Sequence, residues 1–205
     1  RFGIPDGTLY RREVASYVVD KFFGFSLVPP TVYKVIDNNE GSLQRFIPDA
    51  CTGGGVPSNE LQQLDEEFTK MLLLDMIIWN SDRHGNNFLV KDKRLIAIDH
   101  GFAFAGPRSN LRYVLAKDIW DCCVVEFDSN NEDEIVVPKD VAQKIIDMSS
   151  PSSSKLNSLR AVLGELIEEV AVDACINRIR FLAKALNDNN GVLPVDFKLI
   201  YNPII

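Results

Sequence analysis

The stretch Asn80-Ser81-Asp82-Arg83-His84-Gly85-Asn86-Asn87 sets a carboxylate, a guanidinium, an imidazole and three amides into one short loop. An apolar run, MLLLDMIIW, precedes it and a strand-like FLV follows. Such groups are costly near a core unless each finds a partner, so their concentration there calls for a chemical reason. Asp99 ends the next apolar segment, LIAID. If NFLV and LIAID pair as a hairpin about Lys91-Asp92-Lys93-Arg94, Asn87 at one strand's start and Asp99 at the other's end become neighbours. Two oxygen ligands then stand side by side with positions left for phosphate and water, the usual manner of holding Mg2+. Asp82 would face the same cleft and could orient an attacking hydroxyl or take its proton. These are the needs of phosphoryl transfer, whose loose transition state asks for positioning and for cations against developing charge.

The elements that must position this loop follow from periodicity. TLYRREVASYVVDKFFGF reads as an amphipathic helix with Leu9, Val14, Val18 and Phe22 on one stripe, Thr8 as its cap and Gly24 as its stop. Two β-like runs, 31–36 and 42–47, are separated by Asp37-Asn38-Asn39-Glu40-Gly41, which is hairpin punctuation. ACTGGGVPSN reads as a flexible connector whose glycines admit positive φ. NELQQLDEEFTKMLLLDMIIW is the strongest helix, started by a capping box of Asn59 and Gln62. From residue 117 the pattern is helical: KDIWDCCVV, then PKDVAQKIIDM opened by Pro138, then a long amphipathic stretch over 156–187. EFDSNNEDE and SSPSSSK are polar breaks, and no internal repeat is visible. Strands are few and gather around the polar loop, which predicts an α+β fold.

Composition narrows the function classes. With 205 residues, 46% hydrophobic and 25% charged, the chain can bury a sizeable core. Its net charge of −7 argues against a nucleic-acid partner, which would require a basic face. No run of apolar residues is long enough for a transmembrane span. Cys51, Cys122, Cys123 and Cys175 form no CxxC pair and read as reduced core thiols of a cytoplasmic protein. His84 and His100, the two histidines, lack the companions a zinc site needs.

The spacing from Asp82 to Asn87, with Asp99 following, matches the general kinase signature. DRHGNN resembles the D-R-H-x-x-N loop of the phosphatidylinositol 3-/4-kinase-like superfamily, and IDHG (98–101) resembles that family's form of the D-F-G metal motif. REVASYVVDKFFGFSLVPPTV is similar to the helix and strand before the hinge in type II and γ phosphatidylinositol 4-kinase-like proteins and their bacterial relatives. The likeness spans about residues 10–105. It implies a protein-kinase-like two-lobed fold, with residues 1–47 a partial small lobe and 48–205 the helical large lobe. It also implies ATP and Mg2+ (or Mn2+) as cofactors. Asp82 would be the catalytic aspartate, with His84 a second candidate for the proton or a γ-phosphate contact; Asn87 and Asp99 would hold the metal. Arg83 would brace the loop. Glu13 corresponds to the helix glutamate that pairs with an ATP-gripping lysine. Residues 44–47 would be the hinge, with Phe46 or Ile47 bonding adenine through its backbone, above a floor of Leu89 and Ile98.

Singly, each of these residues has an ordinary role: a loop ion pair, a turn amide, a strand-end cap. Their conjunction at kinase spacing between two apolar segments is what the ordinary roles do not supply. The chain departs from the family upstream of Glu13, where RFGIPDGTLYR holds neither a lysine nor a glycine-rich phosphate cradle. Those strands are expected either in a preceding segment or to have been lost. The expected function is ATP-dependent phosphoryl transfer to a hydroxyl. Only Arg108, Arg112 and Lys117, widely spaced, follow the metal motif, too few for a polybasic membrane face. That favours a Ser/Thr protein substrate, with phosphatidylinositol as the alternative and a catalytically inactive nucleotide-binding scaffold as the third reading.

Overall fold

The computed structural model describes residues 4–80, 82–105, 134–150 and 153–194. Arg108, Arg112, Lys117, Cys122, Cys123, the expected helix over 117–125 and most of the 126–134 loop lie outside the described residues.

Helix α1 (Leu9–Phe23) ends where expected, at Gly24, whose φ of 66° and N–H donated to the Asp20 carbonyl at 2.7 Å close the last turn. Its buried face differs from the predicted stripe. Val14 is buried as expected, but Arg12, Ala15, Ser16, Val19, Asp20 and Phe23 are buried as well, while Leu9 is 41% exposed. The inward polar residues have distant partners: Arg12 Nη2 donates to Glu168 at 2.8 Å, and Asp20 Oδ1 accepts the Leu27 N–H at 3.0 Å. Thr8 supplies no side-chain cap; its hydroxyl donates to Pro5 O and accepts from Arg12.

Strands β1 (Thr31–Ile36) and β2 (Asn39–Gln44) form an antiparallel hairpin packed on α1. The turn is tighter than expected. Asp37 and Asn38, at φ 50° and 62°, make a two-residue reversal, so Asn39, Glu40 and Gly41 belong to the ladder. Glu40 then faces Tyr10 and Arg11 of α1.

The glycine connector is an ordered part of the fold. Strand β3 (Cys51–Thr52) pairs with β4 (Phe88–Lys91), which pairs with β5 (Arg94–Ala97). Asp92 and Lys93, both at positive φ, turn the second hairpin. Gly53–Gly55 is a 3-10 turn, and none of its glycines takes positive φ. Cys51 is exposed, so of the two described cysteines only Cys175 fits the core-thiol reading. Burial pushes the Cys175 thiol up to about 11.

A one-turn helix α2 (Ser58–Leu61) and a 3-10 turn lead into α3 (Asp65–Ile78), in place of one helix capped by Asn59. Asp65, Glu66 and Glu67 fill the first turn of α3, where the helix dipole favours negative charge. Beyond the undescribed segment, β6 (Glu134–Val136) pairs with β7 (Val192–Pro194), a ladder the sequence reading did not anticipate. Helix α4 (Lys139–Ser149) begins after Pro138 as expected. The predicted long helix divides into α5 (Lys155–Gly164) and α6 (Glu169–Asp188). The break places Glu168 in extended conformation, where it meets Arg12.

One hydrophobic cluster joins α1, α3 and the α4–α6 helices: Val19 and Phe23, Leu72 to Leu74, Ile145, Ile179 and Leu186 all belong to it. Each fully buried Leu, Ile or Phe contributes about 1.5–3 kcal/mol. Arg178 of α6 ties into α3 through its Nε, which donates to the Ile77 carbonyl at 2.9 Å. The polar loop and the β4–β5 hairpin emerge from this packed base, which holds the site. No helix among the described residues is long and apolar enough to cross a membrane.

Candidate active site

Trp79 closes α3 in the left-handed conformation (φ 52°), and residues 82–87 lead into β4. Leu95 and Ala97, buried beside Phe88, fix the register of β4 and β5 by facing the core together. Beyond the ladder, Ile98 N–H donates to the Asn87 carbonyl at 3.2 Å. That bond carries the pairing to the residue before Asp99, so the ends of the two motifs lie together as the spacing predicted.

Asn87 is 4% exposed, and its Nδ2 donates to the Asp82 carbonyl at 2.7 Å. A carbonyl only accepts, so the amide orientation is determined and Oδ1 is left as an acceptor for a cation. Asp82 is half-buried; its N–H donates to Asn80 Oδ1 at 3.2 Å. Asp99 takes φ 58° at the end of β5's extension. Its side chain reaches solvent, yet enough protein surrounds the carboxyl that burial comes first in raising its pKa. The Glu13 and Asp82 carboxylates push it further up, and His100 and Arg83 act in the opposite direction. The Asp99 carboxyl thus feels like charge from Glu13 on α1 and Asp82 on the loop, which a divalent cation at Asp99 would relieve. Among the described residues no three His, Cys, Asp or Glu side chains gather as a self-sufficient metal cluster. An amide and a carboxylate completed by phosphate and water suit Mg2+ or Mn2+, which take few protein ligands.

The remaining predicted residues have varied surroundings. His84 is exposed; its Nδ1 accepts the Asn86 N–H at 3.2 Å. Leu89 and Ile98 are half-buried on the face of β4–β5 turned from the core. Ile96, the direct cross-strand partner of Leu89, shares that face. Strict alternation from Ile98 could have identified it. Phe46 is 83% exposed and Ile47 half-buried, both just after β2 ends. Glu13, expected to pair with a lysine from upstream, has its Oε2 3.5 Å from His100 Nδ1. Both atoms are buried without a hydrogen bond. Arg83 Nη2, which can only donate, approaches His100 Nε2 at 2.9 Å, so in the neutral ring the proton sits on Nδ1, the nitrogen nearer Glu13.

Two features escaped sequence reasoning. Arg83 does more than brace its own loop: Nη1 donates to both the Asn87 carbonyl and the Ile98 carbonyl, the latter at 2.9 Å. The glycine turn lies against the same loop, with Gly54 N–H donating to the Gly85 carbonyl at 2.9 Å. A Cβ on Gly85 would stand 3.0 Å from Gly54 N, so the two backbones approach as closely as glycines allow.

The family model for phosphatidylinositol 3- and 4-kinases matches residues 8–168. A phosphatidylinositol 4-kinase gamma 4 of Arabidopsis thaliana is 34% identical, over 48% of this chain and 22% of its own length. A rice protein of the same name is 33% identical, over 48% of this chain and 20% of its own. A Mycobacterium tuberculosis protein whose name states no activity is 27% identical, over 54% of this chain and 52% of its own. The chain therefore spans about a fifth of the plant relatives and about half of the mycobacterial one.

Proposed function

The chain belongs to the phosphatidylinositol 3- and 4-kinase family, and on that footing we propose that it transfers the γ-phosphoryl group of ATP to a hydroxyl of an inositol lipid. Residues 1–47 then form a partial small lobe and 48–205 the large lobe of a kinase-like fold. The observation that carries the reading is the hydrogen bond from Ile98 N–H to the Asn87 carbonyl, which joins the DRHGNN loop to the IDHG turn.

Asn87, through Oδ1, and Asp99 would hold Mg2+, whose chemistry is to neutralise charge on the phosphate oxygens. Asp82 accepts the proton of the attacking hydroxyl as its oxygen bonds to the γ-phosphorus and the bond to ADP breaks. Its half-buried position and the bond from its N–H to Asn80 Oδ1 would limit its movement relative to an acceptor. His84, exposed at the same loop, is suited to contact the γ-phosphate. Phe46 and Ile47 would offer backbone groups to adenine, with Leu89, Ile96 and Ile98 as an apolar floor beneath it. Glu13 enters this reading as the partner of His100.

The lipid acceptor replaces the protein substrate that the sparse basic residues favoured. Those residues, Arg108, Arg112 and Lys117, fall outside the described part of the chain. Two relatives are named phosphatidylinositol 4-kinases, which supports a lipid. Labelled ATP offered to the full-length protein with phosphatidylinositol vesicles, with soluble protein and with itself separates the cases. Label should appear in lipid; label in protein alone would restore the other acceptor, and nucleotide binding without transfer would leave a scaffold. Asp99→Asn should lower Mg2+-dependent turnover by about a hundredfold or more while the fold persists. Turnover near wild type would remove Asp99 from the metal site.

A further inference from the structure

Asp75 sits within α3 between Leu74 and Met76, and its side chain is almost wholly buried. A carboxylate in that position is retained only if its neighbours replace water. They do. Oδ2 accepts from Arg83 Nε at 2.8 Å, and Oδ1 accepts from Arg83 Nη2 at 2.9 Å and from Asn80 Nδ2 at 3.0 Å. The Asp75 carbonyl accepts the Asn80 N–H at 3.0 Å. This bidentate grip orients the whole guanidinium plane. The remaining nitrogen, Nη1, is thereby aimed at the carbonyls of Asn87 and Ile98, one belonging to a candidate metal ligand and the other preceding the second.

Resting on the kinase reading above, we propose that Asp75 is a positioning residue for the metal centre, acting through Arg83 to hold Asn87 and Asp99 at a fixed separation. It touches neither nucleotide nor metal nor acceptor. One buried fork sets both ligand backbones, so loss of its anchor changes both ligands together. Packing alone makes a different forecast: a less stable protein whose folded molecules bind metal as before. Outer partners of metal ligands commonly govern affinity by about 10–100-fold.

The test is Mn2+ binding to the full-length protein, read by electron paramagnetic resonance of free Mn2+ with a non-hydrolysable ATP analogue, well below each variant's unfolding temperature. Asp75→Asn keeps the size and one acceptor but loses the charge. Should it fail to fold, Asp75→Leu/Arg83→Met replaces the pair by apolar side chains of similar volume, an exchange that buried ion pairs often tolerate. Asp99→Asn provides the reference for a lost ligand. In either folded variant Mn2+ affinity should fall by about tenfold or more, with metal-free binding of the analogue within about twofold of wild type. Folded variants that keep wild-type Mn2+ affinity, while Asp99→Asn loses it, would overturn the positioning role and leave the kinase reading intact. A wild-type protein that binds no Mn2+ with the analogue would overturn both.

Discussion

Replacing Gly53 by alanine tests whether the glycine turn serves chain flexibility or close approach. A Cβ at Gly53 would lie 2.0 Å from both Cε2 and Cζ of Phe88, and 2.7 Å from its Cδ2. Carbon atoms settle at about 3.5–4.0 Å, so the ring would have to retreat by about 1.5 Å. It has little room to do so. Phe88 has no exposed surface, stands edge-on to Phe68 with centroids 5.6 Å apart, and is paired with Ala97 in the ladder. Overpacking of this kind costs about 1–3 kcal/mol, and the overlap argues for the upper end, about 3 kcal/mol. Backbone conformation adds nothing to that cost, because Gly53 lacks positive φ. Where space permits, Gly→Ala stabilises by about 0.4–1 kcal/mol through the unfolded chain. The sign of the effect thus depends on the ring. In a Phe88→Leu background, where the offending ring atoms are gone, Gly53→Ala should cost less than about 1 kcal/mol, giving a coupling of about 2 kcal/mol. Urea unfolding of the four proteins, with slopes checked for constancy, measures it. An equal penalty in both backgrounds, or a Gly53→Ala protein as stable as wild type, would refute the reasoning.

Asp20 and Glu168 give two further predictions. Burial raises the Asp20 carboxyl to about 6 from an ordinary 3.8, against the N–H groups of Leu27, Val28 and Ser26, which act to lower it. The folded state therefore holds the proton more tightly than the unfolded chain, and stability due to Asp20 is complete below pH 4 and lost as pH rises through 6. At 1.36 kcal/mol per pH unit the difference is about 3 kcal/mol. Denaturation of Asp20→Asn should show the variant gaining about that much relative to wild type between pH 4 and 7, and a constant difference would sink the idea. Glu168→Ala leaves the fully buried Arg12 guanidinium without its carboxylate. Such breaks cost about 3–5 kcal/mol when both partners are buried; Glu168 keeps 35% exposure, which reduces the figure to about 2 kcal/mol. Arg12→Met added to Glu168→Ala should recover most of the loss in guanidinium unfolding, and a still less stable double variant would contradict this account.

The parts legible in the sequence are those whose determinants are local. Alternation of Phe88, Leu95 and Ala97 toward the core fixes the β4–β5 register, and with it the meeting of Asn87 with the residue before Asp99. Gly24 and Pro138 mark helix ends because their backbones leave few alternatives. The misread parts depend on partners remote in the chain. Nothing near Arg12 announces Glu168, so periodicity finds the buried Val14 on α1 but not the inward-facing Arg12. Nothing near Glu134 announces the strand at Val192. The Asp37-Asn38 turn is shorter than its polar surroundings suggest, because polarity looks alike in a turn and on an exposed ladder. The same limit applied inside the candidate site. Asp82, Asn87 and Asp99 stand out as candidates by type and spacing, since a metal and a phosphate would ask for recognisable atoms. Asp75 does not, because an acid within an apolar helix reads only as an interruption until the guanidinium that it holds is seen to hold something else. Residues that contact the reactants carry their chemistry in their own side chains. Residues that position those contacts carry it in a relation, and only the folded chain states relations.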